Sequence, residues 1–254
     1  MATVDLAGRR TIEVVPKGKH ILHRFEGDLT LHSHLRMDGR WRTLRAGAAT
    51  AKKTNDDHTV RAVLVTHLSA AVGTQLGMLD LVRTSNEASI VGHLGPDLLD
   101  PAFDENLAVH NLQSKPERSV AEALLDQRNV AGIGTIWASE PLFIRGLSPW
   151  SAVADVGERH ITDLLRMTRR LLVNSCRLGR TTITGRSDTV DDAWVHGRMG
   201  LPCKKCGTTI RLAPIGKQPQ ERVMFYCPTC QGGISPTDTG VVQTPLGHGR
   251  REMS

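Results

Sequence analysis

The chain has 254 residues, 39% of them hydrophobic, which suits one large or two modest domains with buried cores and excludes a disordered chain. With 32 Lys and Arg against 26 Asp and Glu the formal charge is +6, so an anionic partner is expected, nucleic acid before a membrane surface. No apolar run approaches the ~20 residues of a membrane span, and Met1-Ala2-Thr3-Val4-Asp5 has no signal-peptide pattern. Five cysteines, four of them in metal-ligand spacing, point to a reducing cytoplasm.

Residues 1–97 read as β. Thr11–Val15 and His20–Phe25 are short strands, and Gly27-Asp28 is a turn. Leu29–Leu35 and Thr59–Leu68 alternate apolar and polar residues, so both are predicted strands. Short strands between Gly, Asp and Asn turns imply a β-sandwich or barrel. His32 and His34 share one strand face and could bind a metal; with no third ligand nearby, they read as a hydrogen-bonded structural pair. Gly92-His93-Leu94-Gly95-Pro96-Asp97 breaks the pattern and ends the domain.

After Pro101 the periodicity turns helical. Phe103–Leu112 is a predicted helix, and Ser119 with Glu122 forms a capping box for the next. Val130-Ala131-Gly132-Ile133-Gly134 is a turn leading into a helix over Thr135–Ile144. Glycines just before a helix let its first amides approach a phosphate, although a plain helical hairpin fits the same pattern. Val156–Val173 is predicted as a long amphipathic helix with Ile161, Leu164, Leu165, Thr168, Leu171 and Leu172 on one face. Cys176, outside the metal spacing, reads as a small buried apolar residue. The polar stretch 174–192 is expected to be a long mobile loop. From Gly232 onward the Gly, Pro, Thr and Ser content predicts a disordered tail.

Cys203-Lys204-Lys205-Cys206 is followed, after twenty residues, by Cys227-Pro228-Thr229-Cys230. Two Cys-x-x-Cys knuckles at that separation can hold one Zn2+ in a closed, structural tetrahedron. Ile210, Leu212 and Val223–Tyr226 alternate as the strands of a hairpin between them. Arg198, Lys204, Lys205, Arg211, Lys217 and Arg222 face one acid, Glu221, so the hairpin suits a phosphate backbone. A staple with merely solvated charges is the alternative.

Several of these stretches together resemble the formamidopyrimidine-DNA glycosylase / endonuclease VIII family. Ala123-Leu124-Leu125-Asp126-Gln127 with Val130–Glu140 and Gly146-Leu147-Ser148-Pro149 resembles its helix–two-turn–helix. His34-Leu35-Arg36-Met37-Asp38-Gly39-Arg40-Trp41 resembles its intercalation loop, Leu94–Asp97 its linker, and Val195-His196-Gly197-Arg198 with the four cysteines its zinc finger. The resemblance runs from about residue 6 to residue 231, and is nearest to the actinobacterial endonuclease VIII-like (Nei2) branch.

The resemblance implies an α+β fold. A β-sandwich lacking the family's first helix would occupy 1–97, a helical domain 98–192, the zinc finger 193–231 and the tail 232–254. It implies a base-excision-repair DNA glycosylase/AP lyase that flips oxidised bases from double-stranded DNA. The partner would be duplex with a damaged base or abasic site, bound by a monomer in a basic cleft between the domains. Lys19 matches the lysine that contacts the lesion phosphate and serves β-elimination. Arg222 matches the finger arginine that grips flanking phosphates and serves δ-elimination. Met37 with Arg36 matches the wedge that fills the hole left by the flipped base, and Gly134 and Thr135 match the phosphate-holding turn.

The sequence departs from the family in three places. The opening Met-Pro-Glu-Gly-Asp, whose proline supplies the amine nucleophile, is not found; Pro16 is internal and its nitrogen is an amide. A start placed too late is the favoured explanation, and a non-catalytic binder of damaged or branched DNA the alternative. Thr135 replaces the family's Asn, which predicts an altered grip on DNA. Thr74-Gln75-Leu76-Gly77-Met78-Leu79 and a short loop over Thr181–Trp194 lean towards oxidised pyrimidines.

Overall fold

The computed structural model describes residues 6–45, 57–185 and 192–245, and the chain divides into two compact units between His93 and Leu94. No helix among the described residues is long and apolar enough to cross a membrane.

The first unit is built on two antiparallel sheets. One holds β1 (Thr11–Lys17), β2 (His20–Phe25), β3 (Leu29–His34) and β7 (Met78–Arg83) in that order. The other holds β4 (Arg40–Arg45), β6 (Ser69–Thr74) and β5 (Val60–Val65). The period-2 pattern is visible at the start of β6, where Ala70 and Val72 are buried and Ser69 and Ala71 less so. The strand predicted over Thr59–Leu68 is shorter. The Thr66 hydroxyl accepts from the amides of Leu68 (3.2 Å) and Ser69 (3.0 Å), and this turn sends the chain back as β6. After β7 a 3-10 turn (Thr84–Asn86) leads to the short α1 (Ala88–Val91). Buried Glu87 fastens that turn by accepting from Arg24 (2.8 and 2.6 Å) and Thr30 (2.6 Å).

The second unit packs α2 (Glu105–Gln113), α3 (Val120–Leu125), α4 (Thr135–Ile144), α5 (Val153–Val156) and α6 (Glu158–Leu178) with a hairpin of β8 (Arg211–Ile215) and β9 (Arg222–Tyr226). Asp104 caps α2 by accepting from the Leu107 amide (2.9 Å). At α3 the expected capping box is altered: the Ser119 hydroxyl donates to the Glu122 carboxylate (2.5 Å) and caps no amide. Leu112, Leu124, Ile133, Leu142, Leu164 and Leu165 form one core, and Ile215 and Met224 of the hairpin belong to it. The zinc-finger segment is therefore not a separate body but one wall of this unit.

Three expectations are corrected here. The helix expected to end at Val173 continues as α6 to Leu178 and stops where Gly179 turns left-handed (φ 64°). The loop expected to be mobile is tied down where it is described: Ser175 Oγ bonds the amide and carbonyl of Thr182 (3.0 Å each), and Asp192 accepts from the amides of Ile183 (2.6 Å) and Thr184 (3.0 Å). Residues 186–191 lie outside the described residues. Cys176, expected to be buried, is exposed on α6.

The tail expected to be disordered is strapped to the hairpin as far as Pro245, and the rest lies outside the described residues. Asp238 accepts from Arg211 through Nε and Nη2 (2.5 Å each) and from the Tyr226 hydroxyl (2.6 Å). Gln243 imitates a strand partner, accepting from the Leu212 amide (2.7 Å) and donating to its carbonyl (2.8 Å). Composition hides this because one buried carboxylate and one amide do the fastening. Arg211 holds the Asp238 carboxyl far below the usual carboxylate range. Asp238→Ala should cost about 3 kcal/mol by leaving a buried guanidinium unpaired; an unchanged urea midpoint for the second unit would rule this strap out as a stabilising element.

Candidate metal centre and nucleic-acid interface

The knuckles are built from local turns. The Cys203 amide donates to the Thr208 carbonyl (2.8 Å) and the Gly207 amide to the Cys203 carbonyl (2.9 Å). In the second knuckle the Cys227 amide donates to Gln231 Oε1 (2.9 Å), while Gln231 Nε2 donates to the Leu147 carbonyl (2.7 Å). Folding brings the four Sγ atoms within 4.8 Å of one another, with Cys203–Cys230 at 3.9 Å and Cys206–Cys227 at 3.4 Å. A tetrahedron with metal–sulfur bonds of about 2.3 Å has edges of about 3.8 Å, so the donor set fits a single tetrahedral ion. Burial pushes the Cys227 thiol up and pushes Cys230 up to about 11, whereas Thr208 lowers Cys206 to about 6; a cation's charge would favour the thiolate at the two raised positions. Among the described residues no other group of His, Cys, Asp or Glu has this geometry.

Some of the hairpin's positive charges are consumed internally. Arg211 is paired with Asp238. Lys204 donates to the Ala193 carbonyl (2.8 Å), Arg198 is buried and donates to the Pro202 carbonyl (3.0 Å), and Lys205 lies over the rings of Phe143 (4.7 Å) and Trp194 (5.8 Å). Lys217 and Arg222 remain exposed, Arg222 at the first position of β9 opposite Ile215. Arg211 and Arg198 are thus withdrawn from the surface, while Lys204, Lys205, Lys217 and Arg222 stay exposed.

The glycine turn is built around amides. Gly132 adopts φ +104°, and its amide donates to Gln127 Oε1 (3.1 Å). Gln127 Nε2 holds the carbonyls of Leu125 (2.8 Å) and Ile133 (2.9 Å). The segment expected as a linker is stitched to this turn: the Gly95 amide donates to the Gln127 carbonyl and the Ala131 amide to the Pro96 carbonyl (2.9 Å each). A Cβ on Gly95 would lie 2.4 Å from the Arg128 carbonyl oxygen, so only glycine fits. Gly134 then caps α4 with no side chain, and Thr135 begins the helix. The first-turn amides of α4 are left without a side-chain acceptor, the arrangement that suits an anion.

Glu140, quoted in the sequence motif but given no role there, fixes α4 against the finger. It is fully buried and accepts from the amides of Trp194 (2.9 Å), Val195 (2.9 Å) and His196 (2.7 Å). Burial pushes its carboxyl up, opposed by these three amides and by Lys204. A Glu at a helix position that reads as core was the available signal. Glu140→Gln should cost about 2 kcal/mol, since an amide accepts at one oxygen where the carboxylate has two; an urea midpoint equal to the parent's would contradict this.

In the first unit, Lys19 sits on the β1–β2 turn and Arg36 and Met37 on the β3–β4 turn. Register brings these turns to one end of the sheet, because His20 opens β2 opposite His34, and His34 lies opposite Met78 at the start of β7. Arg36 takes a left-handed conformation (φ 53°), unusual for a residue with a side chain, and its amide donates to His34 Nδ1 (3.0 Å). Its side chain lies across Gly77, where a Cβ would come within 2.4 Å of it. Met37 is 86% exposed, which excludes a core role. Leu76 in the neighbouring turn is buried and belongs to the core.

The His32–His34 pair has a third member that the sequence did not suggest. His20 Nδ1 lies 2.7 Å from His32 Nε2, and His32 Nδ1 lies 3.1 Å from Asp80 Oδ2. The His20 ring stacks on His32 (5.0 Å) and meets His34 edge-on (4.7 Å). His20 also lines a cavity of about 640 Å³ with Met78, Asp80, Ile90 and His93.

Comparison with known proteins bears on this arrangement. The formamidopyrimidine-DNA glycosylase N-terminal domain matches residues 2–86, and the formamidopyrimidine-DNA glycosylase H2TH domain matches residues 94–187. The chain is 44% identical over 240 residues to the probable endonuclease 8 2 of Streptomyces coelicolor, covering 94% of this chain and 85% of that one. It is 40% identical over 234 residues to the DNA-(apurinic or apyrimidinic site) lyase Nei2 of Mycolicibacterium smegmatis, covering 91% and 86%. The Lactococcus lactis formamidopyrimidine-DNA glycosylase, solved non-covalently bound to DNA containing an AP site, shares the fold with a TM-score of 0.72 at 23% identity, covering 90% and 84%. The chain belongs to the formamidopyrimidine-DNA glycosylase / endonuclease VIII family of DNA-repair proteins.

Proposed function

We propose that this chain binds double-stranded DNA at a damaged base or abasic site and serves as a DNA glycosylase/AP lyase, with oxidised pyrimidines as the preferred lesions. The observation that carries this reading is Met37, an apolar side chain held out in solvent on a turn braced by left-handed Arg36. Such a side chain gains by replacing the stacking lost when a nucleotide leaves the duplex. Lys19, on the neighbouring turn, supplies a cation for the lesion phosphate. In the second unit, the α4 amides after Gly134, the Thr135 hydroxyl and the Arg222 guanidinium supply donors for flanking phosphates. Zn2+ is the ion that four thiolates at this spacing select; it would hold the two knuckles together and so keep Arg222 in place, supplying structure rather than chemistry.

The test is binding to a duplex carrying a tetrahydrofuran abasic analogue. Arg222→Ala should weaken binding roughly tenfold and lower the salt slope by about one, as expected when one phosphate contact is lost. Met37→Ala should narrow the preference for the analogue over intact duplex. Equal affinity of the parent for both duplexes would overturn the reading. Zinc analysis should give one ion per chain, and chelation should abolish binding while the β signal of the first unit persists; binding that survives complete zinc removal would refute the finger's part.

A further inference from the structure

The outer face of α6 carries one sign of charge along one line. The inner face is set by Ile161, Leu164, Leu165, Thr168, Leu172 and Ser175, all buried. At about 100° per residue, Arg159, Arg166, Arg170 and Arg177 fall within about 20° of a common line on the opposite side. All four are exposed. At about 1.5 Å per residue the row is about 27 Å long. No acid shares it: Glu158 and Asp163 of α6 lie off the line, and Asp163 already accepts from Arg145 (2.8 Å). A face that served solubility alone would intersperse both signs.

Arg166 shows what the row accepts. It holds the Glu105 carboxylate of α2 side-on, through Nε (2.9 and 3.1 Å) and Nη2 (2.7 Å). Among the described residues, Arg159, Arg170 and Arg177 have no such partner. The row is also set apart from the finger. The inner face of α6 shares a core with Ile215 and Met224 of the hairpin, and Ile215 lies in register with Arg222. That core stands between the row and Arg222, so the two meet different anions.

We propose that this arginine row docks an acidic, extended segment of a partner protein. A strand rises about 3.3 Å per residue, so about eight residues span the row, and every second side chain points to one side. Carboxylates about 6.6 Å apart then match the step of about 6 Å from Arg166 to Arg170. The longer steps are bridged by the reach of the arginine side chains. The guanidinium fork takes a carboxylate through two parallel bonds, as Arg166 does with Glu105. Duplex DNA fits less well, because its phosphates wind around an axis and a straight row crosses each strand only in passing. An exposed ion pair alone contributes little, but several along one line give reversible, salt-sensitive binding. The partner would hold the chain from behind and leave the α4 amides and Arg222 free. The inference goes beyond the DNA reading and does not depend on it.

The experiment measures fluorescence anisotropy of a fluorescein-labelled twelve-residue peptide of alternating Glu and Ser, added to the full 254-residue chain at low salt. Binding to the tetrahydrofuran duplex is measured in parallel. The triple substitution Arg159→Gln, Arg170→Gln, Arg177→Gln should weaken peptide binding at least about tenfold, with duplex binding unchanged within about twofold. These side chains face away from the core, so the far-UV signal and urea midpoint should match the parent's. Arg222→Ala should do the reverse, losing duplex and keeping peptide. A peptide that does not bind the parent, or binds the triple variant as tightly, overturns the proposal. Duplex binding lost in the triple variant overturns it in favour of DNA on this face. A parent that binds peptide but shows no preference for the analogue duplex leaves the proposal standing and overturns the DNA reading instead.

Discussion

The second unit depends on one buried carboxylate. Glu140 is fully buried, a place where an unpaired charge would be prohibitive. Its three backbone amide donors come from consecutive residues, Trp194, Val195 and His196, some fifty-five positions away. That contact fixes where the chain enters the first knuckle. On the other side of α4, Leu142 shares a core with Ile215 and Met224 of the hairpin. The helix α4 and the hairpin that carries Arg222 are therefore packed together as one element, to which the four-cysteine cluster belongs.

Around that element, the basic side chains are held by different contacts. Arg211 is neutralised by Asp238, Lys205 rests on aromatic faces, and Lys204 and Arg198 bond backbone carbonyls. Of these, only Arg211 is neutralised by an acid; Lys204 and Lys205 are held in place but stay exposed beside Lys217 and Arg222. The tail from Gly232 to Pro245 takes part by supplying Asp238, and is as much a part of the finger as the knuckles.

The first unit solves a different problem. Its buried interior is partly polar, with Thr30, His32 and Ser33 beside Leu22, Phe25 and Val72. Buried polar groups must be bonded, and they are: Thr30 to Glu87, Ser33 to the Trp41 indole, and His32 to both His20 and Asp80. Antiparallel register then gathers the Lys19, Arg36–Met37 and Gln75–Gly77 turns at one sheet end, next to that histidine chain.

The sequence by itself determined the features whose partners are near in the chain or set by spacing. The two Cys-x-x-Cys knuckles, the Gly132–Gly134 turn, the start and end of α4 and the strands β2, β3, β8 and β9 were all legible, because turn chemistry and periodicity are local. The family was legible for the same reason. What only the tertiary structure decided are pairings between distant residues: Arg211 with Asp238, Glu140 with Val195, His20 with His32 and Asp80. Whether a charge is paired, a carboxylate is structural or a histidine is hydrogen-bonded depends on desolvation and on what lies across the fold, and neither has a local signature. Composition could therefore read 174–192 and 232–245 as loose, when single buried side chains such as Ser175, Asp192 and Asp238 hold them in place.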